Sequence, residues 1–465
     1  MRERYRIKVN GVGRGRESLS FFVYLNFAIV LPTSLFQNGF WRFALLLVFV
    51  LYLLIVLGSR HAIVALDGLL ARAGALGRLA LFETMPVTVL IMSLTSPNKV
   101  RIWEALIVVV LIAGLLWRDW HAQRLPAKNR LDTLRFGWAL IGLALSVPLL
   151  NLASGMLVPK LSDVATTTVD AVRMVLQGHD PYSAALDPFG AINAHNAAFG
   201  GYKYLPLMIL FYLPFVVPFG SMAVLWANAL LVAGLCAAVW ALSRGNTDAA
   251  GHGDNRLVAI AVLLATPELS ETSLAMGYND VPGTLLVLAA FIVRGRSALL
   301  AGLLVGCSLS FKLMPGLVAA TMLFPPDRWK PYVTGMVFGL LPTALFLTWD
   351  AEALVRNVLV FNLVRSPDPT SWRLLVPSWI GRAASLGALA VWLAGSVWLA
   401  LRSWRGKAVA VLDHEVPDAR LILFVIASLL LIMTGSTAHD DYMIWWMPAV
   451  IAIFAREGDQ RHAPA

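Results

Sequence analysis

The sequence predicts an all-α polytopic membrane protein with about 12–14 transmembrane helices, and its composition is the first reason. Hydrophobic residues make up 58% of the 465 positions and charged residues only 14%, whereas soluble domains average about 45–50% and about 25%. Apolar runs of about 15 to 22 residues also recur along the chain, which is the length needed to cross a hydrocarbon core about 30 Å thick. Because the net charge of +10 is spread between these runs, it indicates membrane orientation rather than nucleic-acid binding.

The predicted spans follow the apolar runs in order along the chain. They lie near 19–36, 41–58, 80–96, 103–117, 137–157, 222–242, 257–275, 280–293, 298–313, 331–348, 381–401, 420–436 and 442–455. The further apolar segment 202–220 contains three prolines, so we predict a re-entrant or broken helix there. A full crossing by this segment would reverse the orientation of everything that follows it.

Basic residues give the chain its orientation. Six of the first 16 residues are Lys or Arg, and five more basic residues lie between 118 and 135. The positive-inside rule places both segments in the cytoplasm. The N-terminus is therefore expected in the cytoplasm, and the segment after the fifth span is expected on the opposite side.

That segment, SDVATTTVDAVRMVLQGHDPY (162–182), contains three aspartates in an otherwise apolar chain. It predicts a helix from Asp163 to Gln177 with Ser162 or Asp163 as its N-cap and Gly178 at its end. Asp163 and Asp170 then share one face of the helix, since they are seven residues apart. Capping alone explains Asp163 as well as a chemical role does.

The turn GHDPY follows the helix. Asp180 can accept hydrogen bonds from its own backbone there, which favours a structural role over a chemical one. The GYND turn at 277–280 has the same ambiguity, because Asn-Asp is common in turns and also suits contacts with hydroxyl groups.

Five segments together resemble a known family. They are DVATTTVDAVRMVLQGHDPY, YKYLPLMILFYLPF, GYND, AGLLVGCSLSFKLMPGL and AHDDYMIWWMPAV, in this order. The chain resembles family 87 of the glycosyltransferases, in the GT-C membrane superfamily, over residues 137–456. The resemblance implies a GT-C-like bundle with an extracytoplasmic catalytic loop, in the cytoplasmic (inner) membrane. It leaves the helices of residues 1–136 without a role and 457–465 as a short cytoplasmic tail.

The family's activity implies a sugar donor linked to polyprenyl phosphate, with mannose as the commonest sugar, and a glycolipid or glycan of the cell envelope as acceptor. An aspartate early in the catalytic loop is the family's general base, and this role maps onto Asp163, with Asp170, Asp180 and Tyr182 in support. Because the departing phosphate is already a good leaving group, one base is enough and no general acid is needed.

The departing phosphate needs positive charge close by. The candidates for this donor-phosphate site are Lys312, Arg356, Arg365 and His439. Lys312 lies near the end of a span, where a lysine either reaches the interface or faces a functional interior. Both arginines occupy a predicted outward loop, against the positive-inside bias.

Asn279, Asp280 and Tyr204 are the candidate sugar or acceptor contacts. His439 with its two neighbouring aspartates makes a poor metal-ligand set, so we expect no metal site and no required cofactor, and a divalent metal is the alternative. A transporter or flippase of lipid-linked saccharides, or a scaffold for envelope assembly, remains an alternative, since polar groups at membrane depth suit a transporter equally well.

Overall fold

The computed structural model describes residues 130–244, 253–367, 371–404, 419–435 and 440–460, and residues 102–114 except 105, 108 and 112. All regular structure in these ranges is helical, so the predicted all-α class is confirmed. The first three predicted spans, residues 105, 108, 112 and 115–117 of the fourth, and His439 lie outside the described residues, as do residues 461–465 of the predicted tail.

The α-helices are numbered in chain order. They are α1 (Arg130–Leu157), α2 (Asp163–Leu176), α3 (Pro188–Asn193), α4 (Pro206–Phe219), α5 (Ala223–Leu242), α6 (Gly253–Leu264), α7 (Pro267–Ser270), α8 (Val281–Val293), α9 (Ala298–Phe311), α10 (Leu313–Met322), α11 (Trp329–Gly339), α12 (Leu341–Val355), α13 (Phe361–Val364), α14 (Ser378–Trp404), α15 (Ala419–Thr434) and α16 (Met447–Gln460). Two π-helical turns, Glu271–Ala275 and Arg356–Val360, join α7 to the following turn and α12 to α13.

Three helical stretches within the described residues are long and apolar enough to cross a membrane. They are Arg135–Leu157, Pro206–Leu242 and Ser378–Val397, and a fourth is Trp329–Val364 if its 48° bend is counted inside one span. Several predicted spans are instead short apolar helices, such as the 13 residues of α8 and the 14 of α9. The described residues therefore hold fewer long spans than the sequence predicts.

Prolines explain two of these shorter helices. Pro267 starts α7, so the predicted span 257–275 divides into α6, α7 and a π-helical turn. Pro342 is in the first turn of α12, just after the bend that divides the predicted span 331–348. Proline lacks an amide donor and clashes with the preceding turn, so it begins a helix more readily than it continues one.

The sequence predicts a re-entrant or broken helix for the segment 202–220, and the structure differs from the broken helix. The segment is helical from Pro206 to Phe219 although Pro214 and Pro218 lie inside, and the helix ends at Gly220, whose φ is 55°. A short 3₁₀ turn then leads directly into α5. The break in the α-helical backbone falls on Gly220, and glycine tolerates a positive φ.

Helices α9 and α11 pack backbone against backbone. Each contains a GxxxG motif, Gly302 with Gly306 in α9 and Gly335 with Gly339 in α11. A Cβ atom added at Gly302 would lie 1.9 Å from the carbonyl oxygen of Tyr332, and one at Gly306 would lie 2.2 Å from that of Met336. Small residues allow such close approach in membrane helices. This packing fixes the C-terminal end of α9, where Lys312 follows.

The helix α2 and the loop after it share a buried cluster with α4 and α12. Val169 and Val172 of α2 pack there with Tyr212 of α4 and Phe346 and Leu354 of α12. A second and larger apolar core is formed mainly by α1, α5, α6, α8, α9, α10, α15 and α16. The candidate site lies where the polar ends of these helices meet.

Candidate active site

The predicted helix with its caps is confirmed in α2. Ser162 is the N-cap, and its Oγ accepts a hydrogen bond from the Ala165 amide at 3.1 Å. Gly178, with a φ of 75°, follows the C-cap Gln177. Asp163 therefore occupies the first turn, where its side chain is exposed and Oδ1 accepts a bond from the Val164 amide at 2.9 Å.

The start of α2 rests on the GYND turn. The Ser162 amide donates to the Met276 carbonyl at 2.8 Å. Gly277 has a φ of 75°, and a Cβ there would approach Ala165 to 2.9 Å. Further along α2, the Thr168 hydroxyl lies 3.1 Å from the Tyr202 hydroxyl and 3.5 Å from the Asn279 amide nitrogen. The candidate base and the candidate sugar contacts thus belong to adjoining elements.

Asp280 and Lys312 form an ion pair in this region. The Asp280 side chain is fully buried and that of Lys312 is 14% exposed. The same oxygen, Asp280 Oδ1, accepts from Lys312 Nζ and from Trp445 Nε1, the latter at 2.7 Å. Although no acidic residue stands beside Lys312 in the sequence, the lysine has an acidic partner in the fold.

Three aromatic rings surround the Lys312 ammonium. Its nitrogen lies 5.3 to 5.5 Å from the ring centroids of Tyr204, Tyr442 and Trp445. These distances are within the range of cation–π attraction. Burial raises the pKa of the Tyr204 phenol, and nearby Tyr442, Asp280 and Asp163 raise it further, so both aspartates act on this ring.

Two acceptor atoms in the turn have no donor among the described residues. Asn279 Oδ1 and Asp280 Oδ2 are both buried without a hydrogen-bond partner. A buried unsatisfied acceptor costs about 1–3 kcal/mol. The hydroxyl groups of a sugar are donors of the kind that these two atoms lack.

Asn357 connects the loop of residues 178–205 to the π-helical turn after α12. Its buried side chain donates to the Tyr182 carbonyl at 2.9 Å and to the Ala353 carbonyl at 3.1 Å, and it accepts from the Gly201 amide at 3.1 Å. Tyr182 in turn donates from its hydroxyl to the Tyr204 carbonyl at 2.8 Å. This network holds the segment that presents Tyr204 to Lys312.

Asp180 behaves as the sequence predicts. Its two carboxylate oxygens accept from the Tyr182 and Ser183 amides at 3.0 and 3.1 Å. Asp170 pairs with Arg173 at 3.0 Å, and both side chains are about half exposed. None of these contacts of Asp170 and Asp180 involves Asp280 or Lys312.

Arg356 and Arg365 lie in a different setting from Lys312. The predicted outward loop is helical here, since the apolar run VLVFNLV continues α12 through the π-helical turn into α13. Arg356 donates from Nε to the Ala198 carbonyl at 3.1 Å and pairs with the exposed Glu352 at 3.0 Å. Arg365 lies 5.2 Å from the Phe361 ring centroid.

Lys203 lies in the same neighbourhood as these two arginines. Its ammonium lies 4.6 Å from the same Phe361 ring and donates to the Gly201 carbonyl at 2.8 Å and to Asn357 Oδ1 at 2.9 Å. Burial lowers the pKa of Lys203 to about 8; Asp187 opposes this shift, and Arg356 and Arg365 add to it. Sequence reasoning missed Lys203, Asn357 and Trp445, because their partners are distant in the sequence.

A metal site is not formed by the described residues, which contain no group of three His, Cys, Asp or Glu side chains able to hold an ion. The structure places Asp163 on the helix that contacts the GYND turn. It pairs Asp280 of that turn with Lys312, beside Tyr204, and it groups Arg356 and Arg365 with Lys203.

Comparisons with known proteins give two matches. The sequence model of glycosyltransferase family 87 matches residues 202–434, half of the chain. A polyprenol-phosphate-mannose-dependent alpha-(1-2)-phosphatidylinositol pentamannoside mannosyltransferase of Mycobacterium tuberculosis (strain CDC 1551 / Oshkosh) is 26% identical over 265 residues.

That alignment covers 55% of this chain and 58% of the relative, so the chain spans less than two thirds of the relative's length. No solved structure matches the chain. The match to the family model begins after Asp163, Asp170, Asp180 and Tyr182 and ends before the AHDDY segment, so it is narrower than the resemblance in the sequence.

Proposed function

Since the chain belongs to glycosyltransferase family 87, we propose that it is an integral membrane glycosyltransferase that moves a sugar from a polyprenyl-phosphate carrier to a glycolipid or glycan of the cell envelope. Mannose is the sugar that the similar mycobacterial protein suggests, by its name. The same name supports a glycolipid as the acceptor.

One observation supports this proposal most: the first turn of α2 adjoins the turn that carries Asn279 and Asp280. The 2.8 Å bond from the Ser162 amide to the Met276 carbonyl ties the two together, and Asp280 is paired with Lys312. The Asp163 carboxylate, the acceptors for hydroxyl groups and the cation therefore lie on adjoining elements. A sugar phosphate requires these three kinds of group.

In the proposed reaction, Asp163 accepts the proton of the acceptor hydroxyl while that oxygen attacks the anomeric carbon. The bond from the anomeric carbon to the phosphate oxygen breaks, and its electron pair leaves with the phosphate. Asp170, Asp180 and Tyr182 support Asp163 through the helix and the loop that follow it. No cofactor is needed for these steps.

Positive charge stabilises the departing phosphate. Lys312 is the candidate nearest to the GYND turn, and Arg356, Arg365 and His439 complete the proposed donor-phosphate set. Asn279, Asp280 and Tyr204 are the proposed sugar or acceptor contacts, and the unpartnered atoms Asn279 Oδ1 and Asp280 Oδ2 suit donation from sugar hydroxyls.

The protein is a multi-pass membrane protein. We place it in the cytoplasmic (inner) membrane with a cytoplasmic N-terminus and an extracytoplasmic site. The basic residues before the first predicted span and before α1 support this orientation.

The test incubates purified full-length protein with polyprenyl-phosphomannose and a membrane glycolipid extract, and measures release of polyprenyl phosphate together with labelled product. Release that depends on both substrates is expected. A parallel experiment with reconstituted vesicles measures movement of the lipid-linked sugar across the bilayer. If the carrier moves and no polyprenyl phosphate is released, the protein is a transporter of lipid-linked saccharides and not an enzyme.

A further inference from the structure

The Asp280–Lys312 pair has no net charge, although it occupies the proposed phosphate site. The carboxylate is fully buried, and Trp445 holds it in place through the same oxygen that accepts from the lysine. The pair stands among Tyr204, Tyr442 and Trp445. Charges in such apolar surroundings are screened less than charges in water.

The phosphate changes its charge during the proposed reaction. In the donor it is a diester, linked to the polyprenol and the sugar, and carries one negative charge. After transfer it is a monoester, which carries about −1.5 to −2 charges at pH 7 because its second pKa is about 6. A lysine without a counter-ion would therefore bind the spent carrier more tightly than the donor and would retain the product.

Asp280 cancels this preference. When the neutral pair accepts a singly charged diester, the pair and the phosphate together total about −1, and with the doubly charged monoester about −2. Arg356 and Arg365 are not counted, because they lie in the group around Lys203. Like charges close together in a poorly screened site repel, so the carboxylate penalises the monoester more than the diester. Asp280 is able to do this because its charge stays beside Lys312 whether or not phosphate is bound.

We propose that Asp280 is a specificity-determining residue that lets the site bind the loaded carrier and release the spent one. This inference rests on the proposed function. It gives Asp280 a second role, besides the proposed contact of its Oδ2 with the sugar. Its Oδ1 serves Lys312, so the two roles use different oxygens of one carboxylate.

The test compares two probes that both lack a sugar: decaprenyl phosphate, a monoester, and its methyl ester, a diester. Dissociation constants are measured at pH 7.5 for the full-length protein in lipid nanodiscs. We expect the wild type to bind the methyl ester at least as tightly as the monoester. Asp280→Asn keeps the size of the side chain and its bond to Trp445, and should shift the ratio of the two constants by about 10-fold towards the monoester, a change of about 1.4 kcal/mol.

Asp327→Asn is the matched control. Asp327 forms an exposed pair with Arg328 at 3.4 Å, so this substitution removes one carboxylate charge from a loop and should leave the ratio unchanged. Transfer assays add a second readout, because Asp280→Asn should be inhibited by decaprenyl phosphate at about 10-fold lower concentration than the wild type.

A wild-type preference for the monoester would overturn the proposal, and this arm needs no variant to fold. An unchanged ratio of the two dissociation constants in Asp280→Asn would also overturn the proposal. The proposed function would still stand in that case, provided that the wild type transfers sugar and that Lys312→Met loses binding of the probes. Absence of transfer together with absence of binding for both probes would instead refute the proposed function, and this inference with it.

Discussion

Asp163, Asp170 and Asp180 differ in what their carboxylates contact. Asp180 uses both oxygens on backbone amides, and Asp170 is paired with Arg173. Asp163 accepts only from the amide of the next residue among the hydrogen bonds of the described part of the chain. Its second oxygen is thus available to a substrate hydroxyl, and the side chain is exposed.

Replacement of Asp163 by Asn should reduce transfer by about 10²-fold or more, the usual contribution of a positioned base. Asparagine is similar in size and can still accept from the Val164 amide, so expression and donor binding should stay normal. Single-turnover transfer and carrier binding, measured on the same preparation, separate the two effects. Asp170→Asn is the companion variant with a smaller expected loss; near wild-type transfer by Asp163→Asn would make Asp170 the next candidate base.

Arg365→Met should weaken use of the donor, because a lost charged hydrogen bond costs about 1.5–3 kcal/mol, or about 10-fold to 100-fold in KM for the donor. Arg382 on α14 is exposed and provides the matched control, Arg382→Met. Initial rates over a range of donor concentrations test this assignment, and equal KM values for the two variants would remove Arg365 from the phosphate site.

At the scale of the element, α2 was predictable because its signals are local. Ser162 and Gly178 stand directly at its ends, and capping acts within one helical turn. The path from α12 to α13 was not predictable in this way. Arg356 and Arg365 stand at the two ends of an apolar run, and this pattern indicated a loop. The backbone instead remains helical through the π-helical turn, where Asn357 faces the 178–205 loop.

Asn357→Ala should destabilise this connection. It removes partners from the Tyr182 carbonyl and the Gly201 amide, and buried groups left without partners cost about 1–3 kcal/mol each. Thermal unfolding should occur several degrees earlier. Asn362→Ala is the matched control, since among the described residues Asn362 donates only to the Val358 carbonyl, one helical turn before it. Equal unfolding temperatures for the two variants would contradict the connecting role.

The packing of α9 on α11 gives a prediction at the same scale. Gly306→Ala would bring a methyl group to 2.2 Å from the Met336 carbonyl oxygen, so the helices must separate and yield of folded protein should fall sharply. Gly387→Ala on α14 has open space around the added atom and should be neutral or slightly stabilising, since alanine favours helices. Size-exclusion profiles of detergent extracts compare the two, and similar folded yields would refute close packing.

For the whole molecule, orientation is the property to test. Cysteines introduced at Ser183 and Ser366 should react with a membrane-impermeant reagent in intact cells, and one at Lys128 should not. Ser366 Oγ lies 3.4 Å from His195 Nε2 in the 178–205 loop, so the first two sites belong to one side. A parent chain without added cysteines reports the background from Cys236 and Cys307, which are partly buried. Labelling at Lys128 but not at Ser183 would reverse the orientation.

The sequence allowed prediction of the class and of the elements that carry the site, and it left the pairings within the site open. Asp280 and Lys312 are 32 positions apart, and Lys203 and Asn357 are 154 apart, so no local pattern connects them. The two GxxxG motifs were visible in the sequence, yet only the fold shows that they face each other.

The backbone contact between α9 and α11 also determines which parts of the protein can move. Glycines offer no rotamers that could absorb sliding between the two helices, so the pair should behave as one rigid body. The 48° bend after Gly339 is then the available hinge, and the Ser310 hydroxyl spans it by bonding to the Gly339 carbonyl at 2.9 Å and to the Thr343 hydroxyl at 3.0 Å. A swing of α12 about this hinge would break the Ser310–Thr343 contact and would also separate Phe346 and Leu354 from the cluster with α2 and α4, so α12 should move together with those two helices.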